Sequence, residues 1–207
     1  MHILLTNDDG IHSEAMRLLH AHLNNLHRVT VVAPDRERSA ISHAITLERP
    51  LRAKKETLNG GGIGYAVNGT PADCIKLAPL DLMDERPDLV IAGVNPGANL
   101  GVNINYSGTV AAAREAAMTG IAAISISTAG RSSDRYEDAA RVVLGLIAGI
   151  EKNGLPFGTF LNVNLPDVAI DAAAGVMFSR QGVQRFEETI DKREDPRHRP
   201  YYWQGPD

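Results

Sequence analysis

The chain has 207 residues, 43% of them hydrophobic and 22% charged, which is the balance of a soluble globular protein long enough to bury a sizeable core. A formal net charge of -4 and a pI near 6.0 exclude a broad electrostatic attraction to nucleic-acid backbones or anionic membranes, so long polyanions are not the expected ligand. No apolar run is long enough to span a bilayer, no signal core follows Met1, and the single cysteine, Cys74, cannot form an internal disulfide, so a cytoplasmic location is expected.

The first apolar segment, HILLT at 2–6, is short enough for a buried strand, and comparable runs recur as VTVVA at 29–33, DLVIAG at 88–93, IAAISIS at 121–127 and TFLNVNL at 159–165. Helical periodicity fills the intervals, at roughly 13–26, 71–84, 109–119 and 133–152. Strands joined by helical crossovers run parallel. The fold class is therefore α/β, a Rossmann-like, mostly parallel sheet flanked by helices.

Local chemistry supports several boundaries. Thr70 is placed to cap the helix that Pro71 opens, Asp73 lies in its first turn, and Gly120 is placed to end the helix before it. Two regions break the alternation. Residues 40–68 read as extended segments around the glycine-rich turn NGGGIG, and after Pro166 the pattern weakens, with 175–186 and 197–203 reading as short strands or a projecting arm. The division expected is a core at 1–166 that binds metal and phosphate, and an extended arm or hairpin at 167–207.

The strongest chemical signal is Thr6-Asn7-Asp8-Asp9-Gly10, directly after the first strand. In open parallel sheets ligands bind outside the carboxyl ends of the strands. Two adjacent carboxylates repel each other, and a hard cation such as magnesium, manganese or calcium relieves that repulsion most directly. Ser39 follows the second strand and Asn95 the DLVIAG strand, so parallel strands bring Asp8, Asp9, Ser39 and Asn95 to one sheet edge. Singly, each has a plainer reading: helix capping for Asp8 or Asp9, and turn formation for Ser39 and Asn95.

Ser107-Gly108-Thr109 opens the helical run VAAAREAAMTG. Backbone N–H groups at a helix start, two hydroxyls and a glycine make a site for phosphate, and N-capping by Ser107 or Thr109 is the plainer reading. The seven histidines show no ligand spacing for zinc, Cys74 reads as a buried apolar group, and Arg36, Glu37 and Arg38 read as a solvated charge run, with Arg36 or Arg38 available to an anionic substrate. Neither GxGxxG after the first strand nor a P-loop motif occurs.

The ordered set ILLTNDDGI, VVAPDRERSAISHAITL, YAVNGTPADCIKLA, DLVIAGVNPGANLG and NYSGTVAAAREAAMTGIAAISIS resembles the SurE family of 5′/3′-nucleotidases. The resemblance covers most of residues 3–127 and continues more loosely to RPYYW. It implies one divalent cation held by Asp8, Asp9, Ser39 and Asn95, phosphate contacts from Ser107, Gly108 and Thr109, and hydrolysis of nucleoside 5′- and 3′-monophosphates, with short polyphosphate as a further substrate. Asp8 or Asp9 would accept a proton from the attacking water. It also favours a homodimer or homotetramer in which the arm is exchanged between subunits. Family members usually continue past RPYYW, whereas this sequence stops at Asp207. Three other readings stand beside it: a phosphoenzyme hydrolase with an aspartate nucleophile, a non-catalytic nucleotide sensor, and a purely structural cation site.

Overall fold

The computed structural model describes residues 1–183 and 189–205. The first strand, β1 (His2–Thr6), is buried at every position, because both faces of the sheet are covered and its apolar run therefore needs no polar alternation. Ile3 and Leu5 enter one core while Leu4 enters the other, as the two-residue repeat of a strand requires.

Helix α1 (Glu14–Leu23) follows, capped by Ser13, whose hydroxyl accepts from Met16 N, and it buries Ala15, Met16, Leu18, Leu19 and Leu23 along one stripe. β2 (Arg28–Pro34) is succeeded by β3 (Ala53–Thr57) and β4 (Ile63–Val67), and the glycine-rich turn joins these last two as an antiparallel pair. Helix α2 (Pro71–Leu77) carries a capping box in which Thr70 accepts from Asp73 N and Asp73 accepts from Thr70 N. A single π-turn at Ala78–Leu82 extends it.

β5 (Leu89–Pro96), α3 (Gly108–Met118), β6 (Ala122–Thr128), α4 (Ser133–Asn153) and β7 (Leu161–Leu165) complete the core. Gly120, at φ +77°, lies just past the end of α3. The seven strands form one sheet in the order β3-β4-β2-β1-β5-β6-β7, parallel throughout except for β3. Helices α1 and α4 cover one face around Ile3, Leu19, Ile91 and Val143. Helices α2 and α3 cover the other, where Ala112, Ala113 and Ala116 of α3 pack on Leu4, Val90 and Ala123.

The chain leaves β1 for β2 on one side and returns to β5 on the other, so the crevice beside β1 is the topological switch point of the sheet. Beyond β7 the arm departs from the expectation of strands near 175–186: residues 175–183 hold no regular element, and 184–188 lie outside the described residues. The arm's strands are β8 (Thr189–Glu194) and β9 (Pro200–Gly205), an antiparallel hairpin.

Candidate active site

Asp8 and Asp9 stand directly after β1, in a turn closed by the fully buried Asn7. The Asn7 side chain accepts from Gly10 N at 3.1 Å and donates to Gly10 O at 3.0 Å and to Ser13 Oγ at 2.8 Å. One amide thus ties the acidic turn to the cap of α1, and the carboxylates are presented by a rigid loop. The neighbouring loop is joined to it by Arg38 N, which donates to Asp8 O at 2.7 Å.

The Asp8 carboxylate lies on the start of α3. Thr109 Oγ1 donates to Asp8 Oδ1 at 2.5 Å and Thr109 N donates to Asp8 Oδ2 at 3.2 Å. A Cβ added at Gly108 would lie 3.0 Å from both Asp8 Cβ and Asp8 Oδ2 and 3.3 Å from Pro71 Cγ, so only glycine lets helix and carboxylate approach this closely. The Ser107 hydroxyl caps α3 by accepting from Val110 N at 3.1 Å. Of the three residues expected to face phosphate, Thr109 is therefore committed to Asp8, and the positive end of the helix dipole already faces an anion that belongs to the protein.

Asp9 has no such support. Its Oδ2 is buried without a hydrogen-bond partner. Burial, then the negative charges of Asp8 and Glu37, push its carboxyl up to about 7 against the opposing effect of Arg131. Burial also raises Asp8, opposed by its hydrogen bonds from Thr109. Two carboxylates this poorly solvated call for a cation.

Ser39 is exposed and donates through Oγ to Glu37 Oε1 at 2.5 Å. Asn95 stands one residue before the end of β5, and its amide nitrogen donates to Gly97 O at 2.5 Å, which leaves the amide oxygen for a ligand. Because β1 pairs in parallel with both β2 and β5, all these loops leave the same sheet edge. The structure thus brings Asp8, Gly108 and Thr109 into direct contact and sets Asp9 beside Asp8. Among the described residues no hydrogen bond joins Asn95 or Ser39 to the carboxylates. Among them, too, no cluster of three or more His, Cys, Asp or Glu residues is assembled. The expected donor set of two carboxylates, a hydroxyl and an amide oxygen would consist of hard oxygens of the kind magnesium, manganese or calcium prefers, and the orphaned Asp9 Oδ2 is one such oxygen without a partner.

The charge run at 36–38 is only partly solvated. Arg38 turns inward, donating through Nη2 to Asp35 Oδ1 at 3.3 Å and to Asn68 O at 3.0 Å, which braces the loop, while its Nε is buried without a hydrogen-bond partner. No local motif singles out Asn99, which is 7% exposed in the loop after β5. Its surroundings involve Asn162 and Asn164 of β7, two amides on one face of an apolar strand, a signal the alternation in LNVNL does carry.

Fold and site define a class: a doubly wound α/β protein whose sheet switch point carries paired carboxylates, one of them seated on a helix N-terminus. The chain belongs to the SurE family, since the family profile described as "Survival protein SurE" matches residues 3–188. It is 59% identical over 206 residues to the 5′-nucleotidase SurE of Desulfatibacillum aliphaticivorans, covering 99% of this chain and 81% of that protein. The 5′-nucleotidase SurE of Syntrophobacter fumaroxidans (strain DSM 10017 / MPOB) is 47% identical over 203 residues, covering 98% and 81%. The crystal structure of the SurE protein from Aquifex aeolicus superposes with a TM-score of 0.84 at 38% identity, over 99% of this chain and 82% of that one.

Proposed function

We propose that this protein is a phosphatase of nucleoside monophosphates, hydrolysing the phosphomonoester to nucleoside and phosphate with one divalent cation held by Asp8, Asp9, Ser39 and Asn95. The reaction class follows from the family and its 5′-nucleotidase relatives. The observation that supports the metal reading best is the buried carboxylate pair with Asp9 Oδ2 unpartnered. When bound, the cation supplies Lewis acidity toward a phosphoryl oxygen and a water.

The protein's own groups do the rest. Thr109 fixes the Asp8 carboxylate so that it does not rotate between turnovers. Asp8 or Asp9 is the group to accept a proton from the attacking water. The Ser107 hydroxyl accepts from Val110 N and keeps its own proton, which it donates to the phosphate at the α3 start beside the Gly108 backbone. Aspartyl-phosphate chemistry fits Asp8 poorly, because both its oxygens are already held by Thr109.

Substrates extend, in this reading, to 3′-monophosphates and short polyphosphate but not to long nucleic acids, for which the acidic chain offers no track. Matched assays on 5′- and 3′-mononucleotides, a dinucleotide and single-stranded oligonucleotides, with and without chelator, test this. Metal-dependent release of phosphate from the mononucleotides alone is expected; cleavage of internal diester bonds, or full activity in chelator, would overturn it.

The same reading makes residues 167–207 an assembly arm on the core at 1–166. Val176, Met177 and Phe178 are 95%, 88% and 94% exposed, and Tyr201, Tyr202 and Trp203 add aromatic surface on the hairpin. Such a set needs cover, and a second copy of the chain is the partner proposed. Phe186, between these two groups in the sequence, lies outside the described residues. Among the described residues no helix is long and apolar enough to cross a membrane, and the lone cysteine is buried and free, in keeping with the proposed cytoplasmic location.

A further inference from the structure

Asn95 stands one residue before the end of β5, and the loop that follows it is secured from two strands away. Asn164 of β7 accepts from Asn99 N through Oδ1 at 2.7 Å and donates to Asn99 O through Nδ2 at 3.2 Å. One side-chain amide satisfies both backbone groups of a single residue, as a neighbouring strand would. Asn162 Nδ2 donates to the same Asn99 O at 3.1 Å, and Asn162 Oδ1 accepts from Ser125 Oγ at 3.0 Å, which fixes that amide's orientation. Asn99 in turn donates through Nδ2 to Ser127 Oγ at 2.8 Å.

The register explains the arrangement. Ser125 pairs with Asn162 and Ser127 with Asn164 across β6 and β7, so four polar side chains stand in two rows running toward the carboxyl end of these strands. Pairing of β5 with β6 shifts between Ala92 and Asn95 and resumes with Asn95 opposite Ser127 and Pro96 opposite Thr128. Gly97 N then donates to Thr128 O at 2.8 Å, and Gly97 O accepts from Asn95 Nδ2 at 2.5 Å. Asn99 is thus tied to β7, while two residues earlier in the same loop Gly97 is tied to β6 and to the Asn95 side chain, and the two anchored points are joined through the backbone of Ala98.

We propose that Asn164, supported by Asn162, is a positioning residue for the cation site: it clasps the Asn99 backbone and thereby aims the Asn95 amide oxygen. Neither an aspartate, which lacks the donor, nor an aliphatic residue, which lacks both atoms, can reproduce the clasp. Residues that orient a metal ligand without touching the metal change affinity by about 10- to 100-fold when removed. This inference rests on the metal reading above.

The test is calorimetric titration of the full chain with Mn²⁺ alone, comparing the unmodified protein, Asn164→Ala and Asn164→Asp, with phosphate release followed across Mn²⁺ concentration. Asn164→Ala is expected to weaken Mn²⁺ binding about tenfold or more and to regain most of its kcat at saturating Mn²⁺, a rescue that a merely stabilising role would not produce. Asn164→Asp keeps the acceptor for Asn99 N, is the milder change, and serves if the alanine variant does not fold; it should weaken Mn²⁺ binding as well. Hydrogen exchange at residues 96–100 should quicken in either folded variant. Unchanged Mn²⁺ affinity in a folded variant of a protein that does bind Mn²⁺ overturns the inference. Absence of Mn²⁺ binding by the unmodified protein overturns the metal reading instead, and the exchange rates then report whether the clasp holds the loop.

Discussion

Replacing Asp9 with asparagine should stabilise the metal-free protein at neutral and alkaline pH. Asp9 is raised from an ordinary 3.8 to about 7, with burial as the first cause and the charges of Asp8 and Glu37 next. At about 1.36 kcal/mol per pH unit, that gap sets a ceiling of about 4 kcal/mol on what folding loses when the group must ionise. Asp9 is only partly buried, so solvent screening reduces the effect to about 2 kcal/mol. The sign follows from proton counting. Between pH 3.8 and about 7 the folded chain holds a proton that the unfolded chain has lost, so stability falls as pH rises through that window and the loss is complete above it. Asparagine carries no charge and escapes the penalty. In chelator at pH 8, Asp9→Asn should melt about 4–8 °C above the unmodified protein, a chain of this size gaining about 2–4 °C per kcal/mol. The gap should close near pH 4, and saturating Mn²⁺ should reverse the order, because the variant has lost an anionic ligand. Scanning calorimetry at the two pH values decides the matter. No stabilisation at pH 8, or one that persists undiminished at pH 4, would refute the assignment of Asp9 as an uncompensated buried carboxylate.

Gly108→Val pushes a branched side chain against the Asp8 carboxylate, where even a Cβ comes within 3.0 Å, so calorimetry should show Mn²⁺ and inorganic phosphate both weakened about tenfold or more; binding of both at full strength would mean that this approach has no role. Truncation after Asp167 should convert an oligomer to a monomer in light scattering by removing Val176 to Phe178 and the hairpin aromatics; a monomer before truncation, or an oligomer unchanged after it, argues against the assembly arm.

Much of this was legible in the sequence because the signals were local. The strands that lead to Asp8 and Ser39, and the one that carries Asn95 near its end, are apolar runs of β-sheet length, and the Thr70-Pro71-Asp73 cap forms as its spacing requires. What escaped the sequence depends on contacts between distant residues. Thr109 and Asp8 are 101 positions apart, and nothing local tells that the helix start would be occupied by the chain's own carboxylate. Arg38 resembled its charged neighbours until the fold supplied Asp35 and the Asn68 carbonyl. Of the hairpin, β9 falls on the expected 197–203 segment, whereas β8 was not legible because TIDKRE has no apolar alternation; its pairing with PYYWQG is cross-strand and both strands remain exposed.

The central claim is that one hard cation sits among Asp8, Asp9, Ser39 and Asn95. Crystals of the unmodified protein soaked in Mn²⁺, with anomalous differences collected at the manganese edge, address it most directly. The account predicts a single strong peak within coordination distance of an Asp9 oxygen and shared with the Asp8, Ser39 and Asn95 oxygens; a map with no peak there, or a peak bound elsewhere while phosphate release proceeds, would contradict it.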